Sequence, residues 1–206
     1  MSDMVVKKGT IKIRSEIGQS LLAVAYLRME QEGFLPMVFW DKVLDLREFL
    51  DWCAKPNMVV AGCFVETPGP TLDAPPVIQL AGLGWIYNIK DRNGCRYADV
   101  GEVFWREYQS MGVTFDLVKA LYQFAFGPCK ITALYGITPE KNIAAVRFMK
   151  RCGFQAYGPV PGLCCWYGEE CGGWLSVLTR DAWVEKFSAE AAHQDDPPPT
   201  LCVVGG

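Results

Sequence analysis

The 206-residue chain contains a single histidine, His193, in a polar stretch near its C-terminus. That scarcity removes the side chain most often used as a base or zinc ligand near neutral pH. Positive charge is not in excess either. Twenty Lys and Arg stand against 23 Asp and Glu, a net charge of −3, whereas a nucleic-acid footprint is normally basic. No apolar run approaches the roughly 20 residues of a membrane span, and Leu21 to Leu27 is far too short. The N-terminus lacks a basic segment followed by an apolar one, so no signal peptide is expected. No C-x-x-C pair occurs among the nine cysteines, and their number is odd. Reduced, buried thiols in a cytoplasmic protein are therefore expected. Cys164, Cys165 and Cys171 cluster, but without His partners or paired spacing no metal site is expected.

What is present reads as globular. Half the residues are apolar and 21% are charged. The length suits one domain, placed at residues 1–188. A tail from 189 to 206, rich in Asp, Pro and Ala, is expected to be disordered. There are no internal repeats.

Along the chain, Val5–Arg14 reads as a first strand. Gly18–Glu32 is helical, with Leu22, Ala25, Tyr26 and Met29 on one face and Gly33 as the stop. A second helix is expected over Asp41–Cys53, capped by Asp41, with Val43, Leu46, Leu50 and Cys53 as its stripe. Met58–Glu66 is a strand, and 67–76, with four prolines, a loop. Val77–Lys90 and Tyr97–Trp105 form a hairpin about Asn93-Gly94, which suits positive φ. Thr114–Phe126 is helical, with Phe115, Val118, Leu121, Tyr122 and Ala125 on one face. Lys130–Ile137 is a strand. Thr138-Pro139 starts a further helix carrying Ala145, Phe148, Met149 and Cys152. Gln155–Pro161 and Gly173–Thr179 are the last strands. This order predicts an α/β (α+β) fold: a mixed, mostly antiparallel sheet with helices on both faces and one parallel strand–helix–strand crossover.

Residues 104–114, Phe-Trp-Arg-Glu-Tyr-Gln-Ser-Met-Gly-Val-Thr, lead from strand into helix. Such a junction aims unpaired N–H groups at one point, where the helix dipole favours an anion. Gly112 permits close approach. Taken alone, this is also ordinary turn chemistry. The pattern Gln109-x-x-Gly112-x-Thr114 resembles the pyrophosphate loop of the GNAT superfamily of acetyl-CoA-dependent N-acyltransferases. That family writes it as Gln or Arg, two residues, Gly, one residue, then Gly or Ala. A second stretch, 142–154, is similar to the family's following helix, Asn-x-x-Ala-x-x-x-Tyr-x-Lys-x-Gly-Phe. Asn142, Ala145, Lys150, Gly153 and Phe154 match in register. The element order extends the resemblance over residues 10–183.

The resemblance implies a GNAT fold whose two central parallel strands splay apart to admit the pantetheine arm of acetyl-CoA. Backbone groups of Phe104, Trp105 and Arg106 would hold that arm, much as an added strand would. The N–H groups of Gln109, Ser110, Met111, Gly112, Val113 and Thr114 would hold the pyrophosphate. The Asn142 amide would reach the pantetheine from the other side. Asn142 also reads as a helix-start residue, and Phe148 and Met149 as either cofactor contacts or plain core. The implied activity is acetyl transfer from acetyl-CoA to an amine, a small molecule or a protein lysine or N-terminus, by direct attack in a ternary complex. The acceptor pocket is expected among the first two helices and the loops at 67–76 and 161–172.

Two departures matter. Thr114 stands where the family has Gly or Ala. Met149 stands where many relatives have a Tyr that protonates the leaving thiolate, and Met cannot donate a proton. Tyr157 or Tyr135 are the substitutes considered. For the base, Glu102 shares a strand face with Phe104 and is preferred to Asp99 on the other face. Both also read as solvated strand residues. Cys152 lies on an apolar helix face with no His to activate it. The alternative is a non-catalytic module of the same fold that binds CoA or a protein partner. Oligomeric state is not legible.

Overall fold

A computed structural model describes residues 10–71, 73–109 and 112–191, with side chains through Phe187. Residues 5–9 of the expected first strand, Ser110 and Met111, and most of the tail, with His193, fall outside the described residues.

Strand β1 spans Thr10–Arg14. Helix α1, Gln19–Gln31, buries Leu22, Ala25, Tyr26 and Met29, the expected stripe. It stops at Gly33, whose φ of +74° suits glycine. The expected second helix is two. A short α2, Leu35–Val38, carries Pro36 in its first turn, and α3 runs over Leu46–Cys53. The α3 cap is Asp45 rather than Asp41. Its Oδ1 accepts from Glu48 N at 2.8 Å, and Glu48 Oε2 accepts from Asp45 N at 3.0 Å. This reciprocal pair satisfies two orphan donors, which a lone Asp41 could not. Phe49 becomes the buried anchor, while Val43 lies outside the helix and is exposed.

Four strands follow the expected positions: β2 Val59–Thr67, β3 Val77–Arg92, β4 Cys95–Phe104 and β5 Ala133–Pro139. Asn93 and Gly94 take φ of +51° and +78° between β3 and β4, the left-handed pair a tight hairpin needs. The chain enters α4, Arg106–Gln109, before α5, Val113–Phe126. Helix α6 is Ile143–Arg151, capped by Asn142, not Thr138. Thr138 and Pro139 instead prolong β5 by pairing with Trp174 and Gly173, so tertiary pairing overrides the local cap signal. Residues 161–172, expected to form a loop, belong to a long hairpin of β6, Gln155–Trp166, and β7, Glu169–Thr179, turning at Tyr167-Gly168. A last helix, α7, Arg180–Ala191, was not expected and continues past residue 188.

The seven strands among the described residues order as β1-β2-β3-β4-β5-β7-β6. All neighbours are antiparallel except β4 and β5. Helices cover both faces. On one, Trp52 of α3 packs against Trp85 and Tyr87 of β3. On the other, α5 packs over Gly84 through Leu121, α6 over Gly136 through Met149, and α7 sets Trp183 against Tyr122 of α5. The expected fold class is the observed one.

Candidate functional site

The sheet opens at its centre. Among the described residues, β4 and β5 pair only where Tyr97, Ala98 and Asp99 meet Ala133, Leu134 and Tyr135. Beyond Asp99, β4 continues beside β3 to Phe104, while β5 continues beside β7 to Pro139. Each strand is held by its outer neighbour, so the two diverge. Direction along β4 follows from two bonds. Trp105 N–H donates to Ala81 O on β3 at 2.9 Å, and Arg96 O accepts from Thr132 N–H ahead of β5 at 2.6 Å. Backbone groups alternate along a strand, so those of Val100, Glu102 and Phe104 face the opening.

The far end of β4 is firmly anchored. Trp105 is fully buried, its Nε1 donates to Leu80 O at 2.7 Å, and the Arg28 guanidinium sits 4.8 Å above its ring. Arg106 N–H donates to Glu32 Oε2 at 3.1 Å. The Trp105 and Arg106 amides are therefore already engaged with β3 and α1. Of the three backbone units expected to meet a ligand arm, only Phe104 faces the opening. Its carbonyl accepts from Gln109 Nε2 at 2.6 Å.

The loop after α4 is stapled by its own side chains. Gln109 folds back on Phe104, and Thr114 Oγ1 donates to Tyr108 O at 2.8 Å. The Thr114 hydroxyl is thus a loop brace. Gly112 occupies the N-cap of α5 with φ of +71°, and among the described residues no side chain caps that helix. Among the described residues other than its chain neighbours, none comes within 4 Å of where a Gly112 side chain would start. The first-turn N–H groups of a 14-residue helix are left beside open space, an anion cradle by geometry and dipole. Three residues after Gly112, Phe115 meets Phe148 of α6 edge to face at 6.4 Å, so rings bridge the two helices flanking the opening.

Asn142 Oδ1 accepts from Ala145 N at 3.2 Å and caps α6. Its amide NH₂ is not used by that bond. The expected helix-start role and the expected ligand role are therefore compatible.

On the helix-covered face of the opening, Glu102 meets α5. Its Oε1 accepts from the Tyr122 hydroxyl at 3.2 Å, and that hydroxyl lies 3.9 Å from the Met149 sulfur. Burial pushes the Glu102 carboxyl up to about 7, and the Tyr122 hydrogen bond opposes the rise. The residue keeps a partial opening to solvent. Met149 is 6% exposed, and its methyl fills the space beside Gly136. Tyr122 read in the sequence as one more apolar-stripe residue. A phenol on such a stripe needs a hydrogen-bond partner when buried, and that was the available signal.

Asp99 lies on the opposite face and accepts from Asn88 Nδ2 at 2.7 Å. Tyr157 does not join the cluster. It is 48% exposed on edge strand β6, with β7 and β5 between it and β4. Three strand spacings, roughly 14 Å, separate it from β4. Tyr135 shares the Tyr157 face and packs on Tyr97. Burial raises the Cys152 thiol to about 12, which makes it a poor nucleophile. Cys164 and Cys171 stand opposite each other across β6 and β7 as free thiols.

Next to Trp105 a cavity of about 470 Å³ opens between α1, the ends of β2 and β3, and α4. Val24, Arg28, Thr67, Gln79, Glu107 and Tyr108 are among its walls. Arg28 is paired with Glu107 and, at 2.8 Å, with Glu32. The first helix and Thr67, both named in the sequence reading for an acceptor pocket, line this cavity, whereas 161–172 supplies hairpin rather than loop.

The family model described as "Acetyltransferase (GNAT) domain" matches residues 31–155. No curated protein sequence matches the chain. Solved structures of similar fold include the spermidine N-acetyltransferase of Vibrio cholerae in complex with CoA and spermine. It has a TM-score of 0.66 at 13% identity and covers 85% of this chain and 98% of that one. A Vibrio cholerae protein provisionally assigned as a ribosomal-protein-serine acetyltransferase has a TM-score of 0.59 at 18% identity, covering 85% and 96%. At these identities the likeness carries the fold.

Proposed function

We propose that this chain, which belongs to the acetyltransferase (GNAT) domain family, moves an acetyl group from acetyl-CoA to an amine. The observation that carries this reading is the end of β4–β5 pairing at Asp99, with the glycine-led start of α5 following β4 and the Glu102 carboxyl on the strand beyond that point. A diphosphate suits the N–H groups opening α5, and an amide-bearing arm suits the edge of Val100 to Phe104 that β5 leaves. Ser110 and Met111 would complete the cradle. The Asn142 NH₂ group is free of its capping duty to donate to the arm.

The chemistry follows from these groups. An amine acceptor, with an ordinary pKa of about 10.4, arrives mostly protonated and must lose a proton to attack. The ammonium first gives a proton to water, and Glu102, raised to about 7 and partly ionised at neutral pH, can accept the second as the new bond forms. The nitrogen attacks the thioester carbonyl, the C–N bond forms, and the C–S bond breaks. The thiolate leaves with its electron pair. With an ordinary thiol pKa of about 8.5, it can take a proton from water without a dedicated acid at Met149. Holding both reactants in attack geometry supplies about 7–11 kcal/mol. Direct transfer is favoured because Cys152 stays a neutral thiol.

A small amine is the favoured acceptor, in keeping with the neighbour solved with CoA and spermine. The cavity beside Trp105 is the entry we assign to it. The test is thiol release from acetyl-CoA in the presence of polyamines, lysine peptides and peptide N-termini. Release with a polyamine supports the reading. Tight acetyl-CoA binding with no release on any acceptor would favour a non-catalytic binding module, for which Met149 is the specific argument.

A further inference from the structure

Tyr122 is fully buried in the middle of α5, with no exposed surface. Its ring is clamped edge to face by Phe154, centroids 5.6 Å apart at 64°, and by Trp183 of α7, 5.6 Å apart at 74°. Such contacts fix ring position as well as burying area. A ring held on two sides directs its hydroxyl along one line, and that line ends at Glu102 Oε1, 3.2 Å away. The Met149 sulfur, 3.9 Å off, is a weak acceptor and competes little. We infer that Tyr122 is a positioning residue for the Glu102 carboxyl, holding it in one orientation at the opening between β4 and β5 through its phenolic hydrogen bond. The inference rests on the reading of Glu102 as the base.

Three elements build this arrangement. Strand β4 supplies the carboxylate, α5 the phenol, and α7 with the segment after α6 the clamp. The ionisable groups influenced by Glu102 are Cys63 on β2, Tyr87 on β3, Tyr122 on α5 and Cys152 beyond α6. Burial raises all four, so each is neutral at physiological pH. Asp99, on the same strand, faces the other side of the sheet. Neutral surroundings leave the phenol as the polar group that favours the ionised carboxylate. The same bond therefore orients the base and keeps it available.

The test uses Tyr122→Phe, which keeps the clamped ring and removes only the hydroxyl. Turnover should fall about tenfold at pH 7, with KM for acetyl-CoA unchanged. The acid limb of the kcat profile should move up by about one pH unit, because a hydrogen bond to the charged form is lost. Trp183→Phe, which loosens the clamp, should move the limb the same way by less. In parallel, the Glu102 carboxyl is titrated by carbon-13 NMR of the Glu-labelled full chain, its signal assigned by its loss in Glu102→Gln. An upward shift in Tyr122→Phe supports the inference even if no acceptor is turned over. An unmoved carboxyl titration, with or without a change in rate, overturns it. If Glu102→Gln turns over normally, the reading of Glu102 as base fails instead, and the NMR titration alone decides whether Tyr122 holds that carboxyl.

Discussion

Gly84 on β3 stands directly opposite Glu102 on β4, and the space a Gly84 side chain would fill belongs to Leu121. A Cβ there would lie 2.4 Å from Leu121 Cδ2. Leu121 precedes Tyr122, so the missing side chain lets α5 settle close enough for the phenol to reach the carboxyl. Gly84→Ala should lower stability by about 1–3 kcal/mol through overpacking. Urea unfolding would show the loss. The Glu102 titration should also move upward as α5 is pushed off the sheet.

Glu102 itself ties stability to pH. Its folded pKa of about 7 lies above the unfolded value of about 4.3. The folded state therefore binds more protons across that window, and stability declines as pH rises through it. The full effect is on the order of 4 kcal/mol. Glu102→Gln should be more stable than wild type at pH 8 and close to it at pH 4, by denaturant midpoints. Turnover at pH 8 should fall by about 10²–10⁴, the usual worth of a positioned base.

Asn142 allows cap and ligand roles to be separated. Asn142→Asp keeps the oxygen that accepts from Ala145 N and removes the NH₂ group. Helix stability should hold while acetyl-CoA affinity drops, measured by calorimetry. Asn142→Ala should lose both, with a stability cost of about 1 kcal/mol.

Gly112→Asp places a carboxylate at the head of α5. Asp tolerates a φ of +71° better than most residues, and the space around the position is open. Thermal stability should stay near wild type while acetyl-CoA affinity falls at least about tenfold, from one unfavourable charge contact. Unchanged affinity in calorimetry would count against the cradle.

Met149→Tyr should bring a second phenol beside Tyr122. Turnover should rise if a missing acid limits thiolate departure, at a packing cost of about 1–3 kcal/mol against Gly136 and its neighbours. Single-turnover kinetics at pH 6–7 would show the gain.

Much of this was legible in the sequence, for physical reasons. The α1 stripe and the Asn93-Gly94 turn depend on local spacing and on φ, which nearby residues decide. Strand alternation put Glu102 on the face of Phe104, and the turn put Gly112 at a positive φ, as the structure has them. The misreadings share a cause. Thr138-Pro139 looked like a helix start, but pairing with β7 holds it in the sheet. Asp41 looked like a cap, but Asp45 has Glu48 to complete its hydrogen bonds. Tyr157 lies farther from β4 than its place in the chain suggests, because strand order sets β7 between β5 and β6. Tyr122 was visible only as part of an apolar face, since its partner is 20 residues away.

The central claim is that a nucleotide thioester lies in the opening between β4 and β5. A crystal structure of the full chain with CoA tests it most directly. The account predicts the diphosphate against the amides leading into Val113 and the pantetheine alongside Val100 to Phe104. CoA bound elsewhere, or an opening closed by β4 and β5 pairing along their whole length, would contradict it.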